Sequence, residues 1–223
     1  MTTEPERAVR PRRSFIFSPG LKPDMFPKAL ACGADIVCVE LEDGIAPKDK
    51  AAARNSGLAL FAAPQADDGV ERVPRINGLR TAFGLADIQA ILATDTPPPA
   101  LMVPKVVSPD EIVWLDDVLT ERGHDTRLHV IIETNAGLEA APDIARASPR
   151  IEALFFGGID MAAELRCGNA WEPLLHARSR VVHAVADAGL VVVDGKLIEK
   201  PVLREMHRIL SIAERVAIAG PRH

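Results

Sequence analysis

Six places in the chain carry charged or amide side chains directly after a short apolar run. They are Glu40-Leu41-Glu42-Asp43, Arg75-Ile76-Asn77, Lys105, Glu133-Thr134, Gly157-Gly158-Ile159-Asp160 and Asp194-Gly195-Lys196. Carboxylates at 42, 43, 133 and 160, if gathered, repel one another unless a cation or basic side chains sit among them. Glu133 and Asp160 are the candidates to hold a divalent metal. Hard carboxylate oxygens with no His or Cys cluster beside them favour Mg2+ or Mn2+ over zinc. Arg75 offers a planar fork that grips a carboxylate with two parallel hydrogen bonds. A metal and an arginine on one small molecule suggest a 2-oxo acid, held through its carboxylate and keto oxygens and stabilised as an enolate forms. The reaction class expected is carbon–carbon bond cleavage or formation beside that carbonyl. Taken singly, a strand-end Glu or Asp is more often a surface charge or a helix cap. Lys105 reads as readily as a solvated charge, and one of Arg12 and Arg13 as part of a loose arm. Six such ends together carry the argument.

The apolar runs are what must position these groups. SFIFSP at 14–19, DIVCVEL at 35–41, RVPRIN at 72–77, ALMVPK at 100–105, LHVIIET at 128–134, EALFFGG at 152–158 and LVVVDG at 190–195 read as strands. Most are continuous rather than alternating, as in parallel strands buried on both faces. Alanine-rich amphipathic stretches at 24–32, 47–62, 83–94, 108–122, 136–147 and 173–188 read as helices between them. Ser108-Pro109-Asp110-Glu111 is a helix start with an N-cap serine and proline in the first turn. Strand then helix, repeated, predicts right-handed βαβ units, and the absence of GxGxxG or GxxxxGK[ST] argues for a barrel over a nucleotide-binding open sheet. In such a barrel the strand C-termini ring one mouth, where catalytic groups sit.

Composition narrows the function classes. The 223 residues, 48% hydrophobic and 26% charged, suit one globular domain. A net charge of -5, nine aromatics and a lone basic cluster (Arg7, Arg10, Arg12, Arg13) argue against nucleic-acid binding. No apolar run reaches the roughly 20 residues of a membrane helix, and the opening residues lack a signal-peptide core, so a cytoplasmic location is expected. Cys32, Cys38 and Cys167 form no CxxC pair and read as inert thiols. His124, His129, His176, His183 and His207 show no metal-ligand spacing and read as surface or packing groups.

An ordered set of motifs resembles a known family. Arg13-Ser14, Phe17-Ser18-Pro19-Gly20, Pro23-Asp24-Met25 and Lys28-Ala29 are similar to the opening of the citrate lyase beta-subunit family, the acyl-CoA lyase branch of the HpcH/HpaI aldolase superfamily. The likeness continues through Gly33-Ala34-Asp35, Leu41-Glu42-Asp43, Pro47, Lys50, Ala53-Arg54 and Arg75-Ile76-Asn77. It runs on through Val103-Pro104-Lys105, Ile132-Glu133-Thr134, Ala136-Gly137, Phe156-Gly157 with Asp160, and Ala177-Arg178-Ser179-Arg180. The resemblance implies a TIM-type (β/α) barrel, usually a trimer, that binds Mg2+ and a 2-oxo acid such as oxaloacetate or glyoxylate. It implies cleavage or condensation of citryl-, malyl- or related thioesters carried on CoA or an acyl-carrier protein. Carried over by motif, Glu133 and Asp160 would hold the metal, and Arg75 would bind the oxo-acid carboxylate. Glu42 and Asp43 would position water or substrate with Lys105 close by, and Arg13 and Lys28 would face the thioester carrier.

The motif order departs from the family after Gly195, where Asp194-Gly195 runs straight into Lys196-Leu197-Ile198-Glu199-Lys200-Pro201. The expected architecture is therefore a barrel incomplete or modified around its seventh and eighth strands. A flexible arm at 1–12 would precede a single domain over 13–223 that includes an amphipathic terminal helix at 201–219. The function expected is a Mg2+-dependent carbon–carbon lyase giving a 2-oxo acid and an acyl thioester, in a homo-oligomer. Its rivals are an accessory barrel subunit that needs a partner protein, and a 2-oxo-acid aldolase that uses no CoA.

Overall fold

The computed structural model describes residues 12–63, 65 and 68–190. Six strands pair in parallel in their sequence order: β1 (Phe15–Pro19), β2 (Ile36–Glu40), β3 (Glu71–Arg75), β4 (Ala100–Val103), β5 (Arg127–Ile132) and β6 (Ile151–Phe156). Each gives way to helix: α1 (Phe26–Leu30), α2 (Lys50–Ala59), α3 (Ala82–Ala93) and α4 (Pro109–Arg122) follow the first four strands. After β5 come α5 (Asn135–Glu139) and α6 (Ala141–Arg146), and after β6 come α7 (Gly158–Glu164) and α8 (Leu175–Asp187). Parallel neighbours joined by helical crossovers leave every strand C-terminus at one end of the sheet.

The continuous apolar runs do what their pattern predicts, since every residue of β2 and of β4 is buried. One set of side chains packs outward under the helices. Val37 and Val39 join Phe26, Ala29 and Ala53, while Leu101, Val103, Val130 and Ile132 join residues of α3, α4, α6 and α8. The alternate set, Ile36, Cys38, Val73, Ala100, Met102 and Ile131, forms a separate inner layer with Phe15 and Phe155 packed on it. Phe15 of β1 and Phe155 of β6 meet edge to face at 6.0 Å although their strands stand at opposite ends of the order. The sheet therefore curls around this inner layer, the architecture expected of a (β/α) barrel over six units. Residues 1–11 of the expected arm, residues 191–195 of the expected seventh strand and the helix expected at 201–219 lie outside the described residues.

Helix starts follow the local sequence. Ser108 Oγ accepts from the Asp110 N–H at 3.2 Å, Thr81 Oγ1 from Gly84 and Thr134 Oγ1 from Gly137, both at 3.0 Å. Two expectations are refined. The helix expected over 136–147 divides at Ala140, because Pro142 is tolerated only in the first turn of a new helix. Gly158 to Asp160, read as a strand end, begin α7 instead and place Asp160 in its first turn. Among the described residues, no helix is long and apolar enough to cross a membrane.

Candidate active site

The groups at the strand ends converge. Arg75 closes β3 directly opposite Glu40, which closes β2. Arg75 Nε and Nη2 lie 2.7 and 2.5 Å from Glu40 Oε2, and Nη1 lies 3.2 Å from Glu42 Oε2. The guanidinium rests on the Phe17 ring of β1 at 4.5 Å. Lys105, two residues beyond β4, holds a left-handed backbone (φ 54) and sends its ammonium between Glu42 and Asp43, 2.7 Å from Asp43 Oδ2. The same ammonium stands 4.0 Å from Asp160. The Lys105 backbone N–H donates to Glu133 Oε1 at 2.9 Å, and Asp160 is close enough to the Glu133 carboxyl to raise its pKa. Gly157 crosses directly over that carboxyl, so that a Cβ there would overlap Glu133 Oε2. Six of the eight residues singled out by sequence are thus brought together: Glu42, Asp43, Arg75, Lys105, Glu133 and Asp160.

The other two are placed differently. Arg13 precedes β1 and pairs with Asp35 at 2.8 Å, at the opening end of β2 and away from the mouth. Its guanidinium is engaged by that carboxylate, while Lys28 is exposed on α1.

A second layer holds the acidic loop. Lys50, buried at the start of α2, donates from Nζ to the carbonyls of Leu41 and Glu42 at 3.0 and 2.6 Å. Burial depresses its ammonium, and the nearby carboxylates of Glu42 and Glu40 oppose that. Asn77 Nδ2 donates to Leu41 O at 3.0 Å and to the fully buried Asp87, which also accepts from Arg54 at 2.6 Å. Lys50, Arg54 and Asn77 were visible as motif residues without a role. Glu40 and Phe17 also escaped a role, because a strand covered on both faces shows no alternation to tell which side chains point inward.

The charge balance of the mouth is unequal. Five carboxylates (Glu40, Glu42, Asp43, Glu133, Asp160) face Arg75 and Lys105, with Lys50 behind. Glu133, 3% exposed, has its pKa pushed up to about 8, first by burial and then by Asp160 and Glu42, against the pull of Lys105. Burial raises Glu42 as well, opposed by Lys105 and Arg75. For Lys105, burial works downward, but the hydrogen bonds to Asp43 and Glu42 outweigh it and hold the ammonium well above its ordinary range. The mouth is a partly desolvated acidic bowl with hard oxygen donors only, short of positive charge. A hard divalent cation is what such a donor set accepts.

One histidine read as packing has a partner of its own. His129, fully buried, points from β5 into the barrel, 3.1 Å from Glu71 of β3, which also takes Arg12 at 2.7 Å. Arg12 reaches Glu152 of β6 at 2.5 Å, so this ion group ties three strands at the end of the barrel opposite the acidic mouth.

A family model described as HpcH/HpaI aldolase/citrate lyase matches residues 13–214. The L-malyl-CoA/beta-methylmalyl-CoA lyase of Cereibacter sphaeroides is 36% identical over 171 residues, which is 73% of this chain and 53% of the relative. The chain thus spans about half the length of that curated relative. The crystal structure of RipC from Yersinia pestis matches with a TM-score of 0.67 at 35% identity, over 82% of this chain and 74% of that one. The citrate lyase beta subunit of Mycobacterium tuberculosis, complexed with oxaloacetate and magnesium, matches with a TM-score of 0.64 at 29% identity, over 79% and 75%.

Proposed function

Because the chain belongs to the HpcH/HpaI aldolase/citrate lyase family, we propose that it is a Mg2+-dependent carbon–carbon lyase. Its substrate is a malyl-, citryl- or related thioester, cleaved to a 2-oxo acid and an acyl thioester. The observation that carries this reading is the placement of the Arg75 guanidinium beside a cation-poor carboxylate group that includes Glu133 and Asp160. The relative from Cereibacter sphaeroides is named for malyl-CoA cleavage, and the Mycobacterium tuberculosis protein was crystallised with oxaloacetate and magnesium.

In this reading Glu133 and Asp160 hold the metal, which when bound supplies a Lewis acid to the oxo-acid oxygens. Arg75 binds the substrate carboxylate and fixes its orientation. Glu42 and Asp43 position substrate and water, and Lys105, kept protonated by them, steadies the carboxylates and offers positive charge to the developing anion. In this reading Lys28, exposed on α1, rather than Arg13, which is paired with Asp35, meets the phosphates of a CoA or acyl-carrier thioester. The protein on this reading works in the cytoplasm as a homo-oligomer, with a trimer as its form.

Calorimetric titration with oxaloacetate, pyruvate and glyoxylate tests the proposal. Binding should require Mg2+, and the Glu133→Ala, Asp160→Ala double variant should lose it while keeping its circular-dichroism spectrum. Absence of Mg2+-dependent binding of all three acids to the unmodified protein would sink the reading.

A further inference from the structure

Arginine on a flexible side chain binds a carboxylate well only when its fork is already aimed, since ordering three methylenes costs conformational entropy at the moment of binding. Here one residue does the aiming. Glu40, 5% exposed at the end of β2, divides its two oxygens between two tasks. Oε2 accepts from Arg75 Nε at 2.7 Å, with Nη2 in ionic contact at 2.5 Å, and Oε1 accepts from the backbone N–H of Glu42 at 2.5 Å. The side edge of the guanidinium is thereby occupied, and one face is covered by Phe17 at 4.5 Å. What remains is the end edge formed by Nη1 and the second N–H of Nη2. Nη1 has Glu42 Oε2 at 3.2 Å, an ionic contact without a hydrogen bond. Gly44 keeps the chain close over Glu40, since a Cβ there would stand 3.0 Å from Glu40 Cγ.

We propose that Glu40 is the positioning residue of the site: it turns the end edge of Arg75 toward the mouth and fixes the Glu42 backbone at the same time, so that a substrate carboxylate is received end-on. The inference rests on the oxo-acid reading for its ligand, and on the geometry alone for the orientation of Arg75.

Two opposite signs make the role testable. Glu40 is a negative charge in contact with a cation that is to bind an anion. If it were only a charge, Glu40→Gln would strengthen binding of the anion. As a positioning residue, its loss frees Arg75, and binding weakens. Titration of pyruvate in the presence of Mg2+ should show at least a tenfold weaker dissociation constant for Glu40→Gln than for the unmodified protein. Arg75→Lys should show a similar loss, and adding Glu40→Gln to it should cost nothing further, because the orienting bond has no fork left to orient. Equal or tighter binding by a folded Glu40→Gln variant overturns the proposal.

A readout without ligand separates this from the oxo-acid reading. In 15N spectra the Arg75 Nε–Hε signal, identified by its loss in Arg75→Lys, should be resolved and slow to exchange with solvent in the unmodified protein. It should broaden or vanish in Glu40→Gln. If the unmodified protein binds no oxo acid, the function proposed above fails while this signal still decides the role of Glu40. A signal unchanged by Glu40→Gln overturns the role of Glu40 whatever the ligand.

Discussion

Lys105 is held in place by a compromise between backbone and charge. A non-glycine residue at φ 54 gives up roughly 1 kcal/mol or more of backbone energy. What holds it there is the pair of carboxylates its ammonium reaches and the Glu133 carboxyl its N–H meets. Its stabilising contribution exists only while those carboxylates are ionised. Burial raises the pKa of both Glu42 and Glu133, the latter to about 8, so Glu133 is already largely protonated at pH 7 and Glu42 follows as pH falls, and the contribution fades with them. Lys105→Met should therefore lower unfolding free energy at pH 7 without metal by about 1–2 kcal/mol, modest because the lysine is partly exposed. The deficit should shrink toward zero near pH 4. Urea unfolding of both proteins across that range checks it, and a deficit independent of pH would show that Lys105 acts through packing instead. Of this charge arrangement, Lys105, Glu42, Arg75 and Glu133 were legible in sequence because each follows an apolar run. The left-handed backbone of Lys105 was not, since nothing short of the Glu133 contact demands it.

Strands and helices were legible to the extent that their sequences declare a period or a boundary. The six described strands fall within two residues of the apolar runs, and α4 begins at Pro109 behind its serine cap as the sequence predicts. Helix α7 was hidden because it is seven residues long and opens on a glycine pair, poor helix formers that read as a loop. The ties between strands were hidden as well. His129 looked like packing because its partner, Glu71, lies 58 residues away in sequence, and Arg12, which shares that carboxylate, lies 117 away. That tie has a pH signature. Burial would raise the pKa of Glu71, but His129 beside it and the hydrogen bonds from Arg12 prevail and bring it down to about 2. A carboxylate depressed on folding adds stability that is fully present above its unfolded pKa, near 4.5, and is lost as pH falls toward 2. The side chain is only 10% exposed, so the contribution is on the order of 2–3 kcal/mol. Glu71→Gln should be destabilised by about that amount at pH 6–7, with the two proteins converging between pH 4.5 and 2. Parallel stability curves over that window would mean that the ion group does not hold β3 to β5 and β6.

At the scale of the molecule, the two ends of the barrel are built from opposite solutions to the same electrostatic problem. At the Arg12 end the charges are matched within the chain, with two carboxylates tied to an arginine and a histidine close to one of them. At the mouth they are not matched, and five carboxylates crowd two cations in a partly desolvated space. Folding that brings like charges together costs free energy that the rest of the fold must offset, and a ligand of opposite charge returns it. If the mouth is a cation site, Mg2+ should stabilise the whole protein by mass action. At a concentration 100 times its dissociation constant the gain is about 2.7 kcal/mol. For a domain of this size each kcal/mol raises the melting temperature by roughly 2–4 °C, so the shift should be about 5–10 °C. A monovalent salt at the same ionic strength screens the repulsion without being held, and should give only a small part of that rise. The Glu133→Ala, Asp160→Ala variant should gain nothing from Mg2+. Differential scanning calorimetry of both proteins in chelator, Mg2+ and matched monovalent salt measures all of these together. A rise no larger in Mg2+ than in monovalent salt would mean that the acidic mouth is screened by solvent ions and holds no metal.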